Sequence, residues 1–209
     1  MNSSYVQSIK FPEYSGIRCL MMPYIQGNPD SVPDNCAAYR QIIETLYFRK
    51  GDIGFLTIDE SRTTAGKPHR GQRARYSRAL HTEAGKHDAD TMPIYCWGDV
   101  PTWGGKANVA LDRDVQILLA NNLDNSCAVW DAEHENTSSD GDIGYAASEY
   151  PYHEAVLMKA SDVHRIGIFT PHESLPVAES TNRQFLRIIS AGVHGREPYF
   201  TQNPRVDFT

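Results

Sequence analysis

The sequence lacks any apolar run near the ~20 residues that a helix needs to cross a bilayer. Its opening stretch, MNSSYVQSIKFPEY, has neither the basic nor the apolar segment of a secretory signal. We therefore expect a soluble, cytoplasmic protein with no membrane partner. Cysteine is also scarce, since Cys19, Cys36, Cys96 and Cys127 are scattered without a CxxC pair. This spacing disfavours a zinc knuckle or a disulfide framework, and we expect small core residues.

Positive charge is in deficit as well, because the formal net charge is -6. A chain of this sign has no general attraction to phosphate backbones or anionic lipid. The exception is residues 62–78, whose basic members are Arg62, Lys67, Arg70, Arg73, Arg75 and Arg78. Such a run is usually a solvated face, but it could attract an anionic substrate. Nucleic acid is therefore a possible partner, less favoured than a small molecule or an amino-acid or protein side chain.

A chain of 209 residues suffices for one sizeable core, so we expect a single domain over 1–209. After Asp34, a good N-cap, helical spacing of apolar positions predicts one helix lying on a sheet. Those positions are Tyr39, Ile42, Ile43, Leu46 and Tyr47.

Short β-branched and aromatic segments bounded by Gly, Pro, Asn and Asp predict strands for most of the remaining chain. They are residues 54–61, 92–97, 108–112, 115–121, 126–131, 155–159, 164–169 and 183–190. Many strands without intervening helical periods favour an antiparallel sandwich or barrel. A mainly β (α+β) jelly roll with a flanking N-terminal helix fits best.

Three polar stretches at 62–78, 98–106 and 133–154 interrupt the strands and are predicted to be loops. Long loops on a compact β scaffold often build or cover sites, although mobile surface is the simpler explanation. Trp97 and Trp103 flank the Gly-rich second stretch, which could close over a pocket or merely pack.

A metal-binding pattern is present in His81-Thr82-Glu83, because residues two apart on a strand project to the same side. A pattern this short is expected about once by chance in such a chain, so its context decides. Downstream, His172 ends an apolar strand, a turn-rich segment follows, and Arg183 opens the next strand. Non-haem Fe(II) is held by two histidines and a carboxylate on one face of an octahedron.

This order of residues resembles the Fe(II)/2-oxoglutarate-dependent dioxygenase superfamily: H-x-[DE], inserted strands, a distal His, and a basic residue about ten positions later. The resemblance covers roughly residues 76 to 190. It implies a double-stranded β-helix (jelly-roll) oxygenase, a hydroxylase whose cofactors are Fe(II) and 2-oxoglutarate. His81, Glu83 and His172 would hold the iron, and Arg183 would pair with the distal carboxylate of 2-oxoglutarate. Arg187, on the same strand face, could assist.

The sequence departs from the commoner pattern in having Glu83 where Asp is usual. Tyr76 could hydrogen-bond the cosubstrate or substrate, or be a buried structural tyrosine. A second acidic and histidine group would supply replacement ligands if His81 lay far from His172. Its members are Asp131, Glu133 and His134.

Other interpretations remain open. His81 and Glu83 could be an exposed pair at a strand end, His172 a turn residue, and the two arginines solvent-facing. A cupin-like metalloenzyme would not use 2-oxoglutarate, but typically shows three histidines and a glutamate, a spacing missing here. A non-enzymatic jelly-roll module binding sugar or protein would not need His81 and His172 to meet.

Overall fold

Antiparallel strands dominate the computed structural model, which describes residues 2–69, 76–88, 93–97, 109–111, 114–135, 141–190, 193–194 and 200–207. In chain order the strands are β1 Ser3–Ser8, β2 Arg18–Ile25, β3 Ile53–Arg62, β4 Ala84–Asp88, β5 Pro93–Trp97, β6 Val109–Leu111, β7 Gln116–Asn121, β8 Cys127–Val129, β9 Val156–Leu157, β10 Asp162–Gly167, β11 His172–Ser174, β12 Asn182–Ile189 and β13 Val193–His194. They form a six-stranded sheet (β1-β10-β7-β12-β3-β2), a three-stranded sheet (β11-β8-β9) and a four-stranded sheet (β13-β6-β5-β4).

The six-stranded sheet has two chemically different faces, because side chains alternate along each strand. In the pairing of β12 with β3, Arg183 lies opposite Ser61 and Arg187 lies opposite Thr57. These residues share one face. The intervening pair, Leu186 opposite Ile58, belongs to the other.

That second face is apolar and is covered by the segment between β2 and β3. Its buried side chains include Tyr24, Ile43, Leu56, Ile58 and Ile188. Complete burial of such an aliphatic side chain contributes about 1.5–3 kcal/mol. This face therefore supplies much of the stability that holds the sheet in place.

The first face packs against the three-stranded sheet. Cys127 and Val129 of β8 join a buried cluster with Ile117 and Leu119 of β7 and Phe55 of β3. The polar side chains of β3 and β12 on this face are thus enclosed between two sheets.

The predicted helix is only partly α-helical. Asp34–Tyr39 forms a 3₁₀ helix, and the α-helix α1 spans Arg40–Thr45. Ile43 and Leu46 are buried as predicted, but Tyr47 is 39% exposed. The helix ends before Tyr47, so helical spacing no longer controls the direction of that side chain.

The predicted mainly β class is confirmed, and all eight predicted strand segments overlap described strands. One boundary was wrong in a way that affects the site. β10 ends at Gly167, and His172 begins a separate strand, β11, in another sheet. A turn in which the Thr170 N–H bonds the Gly167 carbonyl lets the chain change sheets.

Parts of the predicted loops carry structure or cannot be compared. Within 133–154 the structure has 3₁₀ helices at Gly144–Glu149 and Tyr152–Glu154. Residues 70–75, 98–108 and 136–140, which include Trp103, lie outside the described residues. Three of the cysteines, Cys19, Cys36 and Cys127, are buried and free, as expected of core residues.

None of the helices within the described ranges has both the length and the apolar character to span a membrane.

Candidate metal centre

Two histidines far apart in the chain meet across a single β-bridge. The His81 N–H donates to the His172 carbonyl at 3.0 Å, and the His172 N–H donates back to the His81 carbonyl at 2.9 Å. Directly opposed residues of an antiparallel pair project to the same side. Their ring centroids accordingly lie 4.1 Å apart. Reciprocal backbone bonding therefore fixes the spacing of the two imidazoles.

The same nitrogen is engaged in both rings. Nδ1 of His81 lies 2.7 Å from the Ala79 carbonyl oxygen, and Nδ1 of His172 lies 2.9 Å from that of Thr170. A carbonyl oxygen can only accept, so each Nδ1 carries the proton and donates. In a neutral imidazole with a protonated Nδ1, Nε2 carries the lone pair that can bind a metal. The backbone selects the tautomer that a pair of metal ligands requires.

Glu83 completes the group. Its Oε1 lies 3.4 Å from Nε2 of His172, and its Oε2 accepts from Nη1 of Arg187 at 2.9 Å. One ligand atom from each of His81, Glu83 and His172 lies within 4.8 Å of the others, and all three residues are buried. Neighbouring ligands of an octahedral ion with bonds near 2.1 Å stand about 3 Å apart, so small side-chain shifts would suffice.

The electrostatics of the group keep Glu83 ionised. Burial by itself raises the pKa of its carboxyl, but the positive charge of Arg187 outweighs burial and holds this pKa well below the usual range. A metal-binding carboxylate must be deprotonated, so the ligand is ready at neutral pH.

Arg183 differs from Arg187 in having no counter-charge at bonding distance in the part of the chain that the structure describes. It is 2% exposed, and among the described residues its Nε and Nη1 have no hydrogen-bond partner. Burial lowers the pKa of its guanidinium to about 10, an effect that Cys127 and Asp59 partly oppose. The Phe185 ring, 4.8 Å from Cζ, gives partial compensation through a cation–π contact. A buried and unpartnered cation is costly unless a ligand pairs with it.

These groups line one small cavity between the two sheets. Its walls are His81, Glu83, Leu119, Cys127, His172, Ser174, Arg183, Phe185 and Arg187. Leu119, Cys127, Ser174 and Phe185 were not predicted as site residues, although the alternation along β12 places Phe185 between the arginines on their face. The cavity holds the three predicted ligands and both predicted arginines, and none of these five is solvent-exposed. The exposed-pair and solvent-facing interpretations are therefore wrong.

Tyr76 lies elsewhere. Its ring centroid is 6.2 Å from that of Tyr145, and its side chain occupies the space beside Gly144, whose added Cβ would lie 2.7 Å from the Tyr76 Cβ. It does not line the cavity. Tyr76 is half-buried at this position, so neither the cosubstrate role nor the fully buried alternative describes it.

A buried ion pair supports the histidines from behind. Arg78 donates through Nε to Oε2 of Glu173 at 2.8 Å, and its Nη2 lies at an ion-pair distance of 2.8 Å from the same oxygen. The Ala79 N–H donates to Glu173 Oε1 at 3.2 Å. The Arg78 guanidinium also lies over the rings of Trp130 and Tyr152. Because Glu173 follows His172 and Ala79 bonds His81, this contact joins the two ligand segments. The sequence placed Arg78 in a basic run and gave no signal for this pairing.

The replacement ligand group is occupied by other contacts. Asp131 accepts from the Asn2 and Ser3 N–H groups, which anchors the beginning of the chain. His134 bonds the Tyr150 and Tyr145 hydroxyls through its two ring nitrogens.

No protein-family model matches the chain, and no curated protein matches it. Among solved structures, one described as "Crystal Structure of EvdMO1" aligns with a TM-score of 0.32 and 14% identity. The alignment covers 68% of this chain and 26% of that chain, so this chain spans about a quarter of that structure's length. A likeness this distant carries no argument. The fold and the cavity themselves define the class: a mainly antiparallel β protein with a buried His-Glu-His group that could hold a metal ion.

Proposed function

We propose that this chain is an Fe(II)- and 2-oxoglutarate-dependent dioxygenase, a hydroxylase on a double-stranded β-helix (jelly-roll) scaffold. The observation that carries the proposal is Arg183, which lies in the same cavity as His81, Glu83 and His172. Its buried guanidinium has no counter-charge at bonding distance within the described ranges. A metal group alone would leave this cation unexplained. A ligand that binds a metal at one end and carries a carboxylate at the other explains both.

The charges of the cavity support a dianionic ligand. Its charged walls are one carboxylate, Glu83, and two guanidiniums, Arg183 and Arg187, which leaves one positive charge in excess. A bound divalent ion would add two more. Buried charge of one sign is strongly unfavourable, so a dicarboxylate would bring the site closer to balance.

The donor set fits Fe(II). Two imidazole nitrogens and one carboxylate with open positions are typical of non-haem Fe(II) oxygenases. When bound, iron with 2-oxoglutarate supplies the oxidising chemistry that converts a substrate C–H bond to C–OH.

The chain's own residues then have separable tasks. His81 and His172 present Nε2, since each Nδ1 is committed to a backbone carbonyl. Arg183 would bind the distal carboxylate of 2-oxoglutarate through a pair of charge-assisted hydrogen bonds. Leu119 and Phe185 exclude water beside it, which strengthens that pairing.

For the substrate, we favour a small molecule or an amino-acid side chain over nucleic acid. The basic run at 62–78 is weaker support for a nucleic-acid partner than its sequence suggested, because the Arg78 side chain is 15% exposed and paired with Glu173. The net charge of -6 also disfavours a polyanion.

The test is to add Fe(II) and 2-oxoglutarate to the protein under anaerobic conditions and record the weak visible charge-transfer band of the chelate. Oxygen is then admitted and succinate is assayed. We expect a band in the wild type, and its loss in His172→Ala. The absence of a band in the wild type, or an undiminished band in the variant, would overturn the proposal.

Two other outcomes identify the alternatives. Metal binding without any effect of 2-oxoglutarate indicates a cupin-like enzyme, and no metal binding at all indicates a jelly-roll binding module.

A further inference from the structure

The two carboxylate oxygens of Glu83 face different partners. Oε1 lies 3.4 Å from Nε2 of His172, on the side of the metal-ligand group, whereas Oε2 is held at 2.9 Å by Nη1 of Arg187. Arg187 is 1% exposed, so this ion pair is shielded from solvent. A shielded pair is screened little by salt and keeps a well-defined geometry.

From this division we infer that Arg187 is a positioning residue that holds Glu83 as a one-oxygen metal ligand through Oε1. The inference rests on the proposed function only in taking the His-Glu-His group as a metal centre. If both oxygens of Glu83 bound the ion, one more coordination position would be lost to the cosubstrate or oxygen. By occupying Oε2, Arg187 keeps that position open.

The identity of residue 83 gives Arg187 its importance. Glutamate has one more rotatable bond than aspartate, so its carboxylate needs more restraint to reach a single geometry. Hydrogen bonds to a metal-binding carboxylate restrict its orientation. The pairing with Arg187 supplies such a hydrogen bond for Glu83.

Arg187 is itself held on its other side. Its Nη2 lies 3.4 Å from Sδ of Met21 and 3.5 Å from Oγ1 of Thr57. Met21 sits where the register of β2 against β3 shifts, and its φ is +49°, a value uncommon for a residue with a side chain. Such irregularities often direct a side chain into a site. Here the irregularity brings the Met21 sulfur to Arg187.

Arg187 and Arg183 therefore have different roles in the cavity. Arg187 has its Nη1 committed to Glu83, while Nε and Nη1 of Arg183 have no hydrogen-bond partner among the described residues. Metal affinity should depend on Arg187, and affinity for a 2-oxo dicarboxylate should depend on Arg183.

The experiment measures the dissociation constant of Mn(II), a redox-stable probe, for the wild type, Arg187→Met and Arg187→Lys. Arg165→Met is the matched control, since Arg165 is exposed on β10. We expect Arg187→Met to weaken Mn(II) binding about 10- to 100-fold. Arg187→Lys should recover part of this loss, and the control should stay within about threefold of the wild type.

A double-mutant cycle separates positioning from general damage. In a Glu83→Gln background, Arg187→Met should add little further loss of Mn(II) affinity, because the pair is already broken. If Arg187→Met folds poorly, Arg187→Lys in the two backgrounds carries the same comparison.

Wild-type Mn(II) affinity in Arg187→Met, or an equal loss in both backgrounds, would overturn the inference. If the wild type binds Mn(II) but 2-oxoglutarate has no effect, the proposed function fails while the role of Arg187 stands. If the wild type binds no Mn(II), both are wrong.

Discussion

Replacement of Arg183 by methionine should change stability and ligand binding in opposite directions. Burial lowers the pKa of this guanidinium to about 10, which corresponds to about 3 kcal/mol for keeping the charged form folded, at about 1.4 kcal/mol per pH unit. Methionine removes that charge but also loses the cation–π contact with Phe185, worth about 1 kcal/mol. The ligand-free variant should therefore be more stable than the wild type by about 1–3 kcal/mol.

Binding should fall at the same time. A guanidinium that gives two hydrogen bonds to a buried carboxylate contributes about 3 kcal/mol in total, so affinity for 2-oxoglutarate should drop about 100-fold.

The assay combines urea unfolding without ligand and titration of the anaerobic metal complex with 2-oxoglutarate. Arg165→Met is again the control, because the removal of an exposed arginine should change neither quantity by much. An Arg183→Met variant that is less stable than the wild type, yet binds 2-oxoglutarate equally well, would refute both the electrostatic argument and the assigned role.

Two further predictions concern ion pairs whose residues do not line the cavity. Glu173→Gln should lower the free energy of unfolding by about 2–4 kcal/mol in urea titrations, because the Arg78 side chain, 15% exposed, loses its counter-charge. A loss below about 0.5 kcal/mol would contradict this. At Asp59, burial alone raises the carboxyl pKa, but His69 and Arg18 outweigh burial and lower it. Because the pKa of Asp59 is lower in the folded than in the unfolded state, its ionised form stabilises the fold. This stabilisation is complete at pH values above the unfolded-state pKa and is lost as the pH falls through the folded-state pKa. Asp59→Asn should therefore lose less stability than the wild type between about pH 5 and pH 2, measured by urea unfolding across that range.

The strands that sequence patterns predicted well are those rich in β-branched residues, such as β7 and β12. β2 was not predicted, because RCLMMPYI carries a proline and two methionines and bends at the register shift near Met21. β4, with sequence AGKHD, has little strand propensity and depends on its pairing with β5. Both strands form because they pair with segments elsewhere in the chain, and local composition does not reveal such pairing.

The members of the candidate site could be named from spacing and order, but their relations could not. The reciprocal bonds between His81 and His172 depend on a turn that moves the chain between sheets after Gly167. Likewise, nothing in the sequence indicates that Arg187 pairs with Glu83. Position along β12 put both on one face, and only the neighbouring segments give them different partners.

The alternation of side chains along β12 also separates residues constrained by activity from residues constrained by stability. Arg183, Phe185 and Arg187 face the cavity, whereas Leu186 and Ile188 face the helix-covered core. In a saturation mutagenesis scan of β12, the kind of defect should therefore alternate from one residue to the next. Substitutions at the core-facing positions would lower the amount of folded protein. Turnover per folded molecule would decline at the cavity-facing ones. Alternate residues of this one strand would thus be constrained by different requirements, one set by folding and the other by activity.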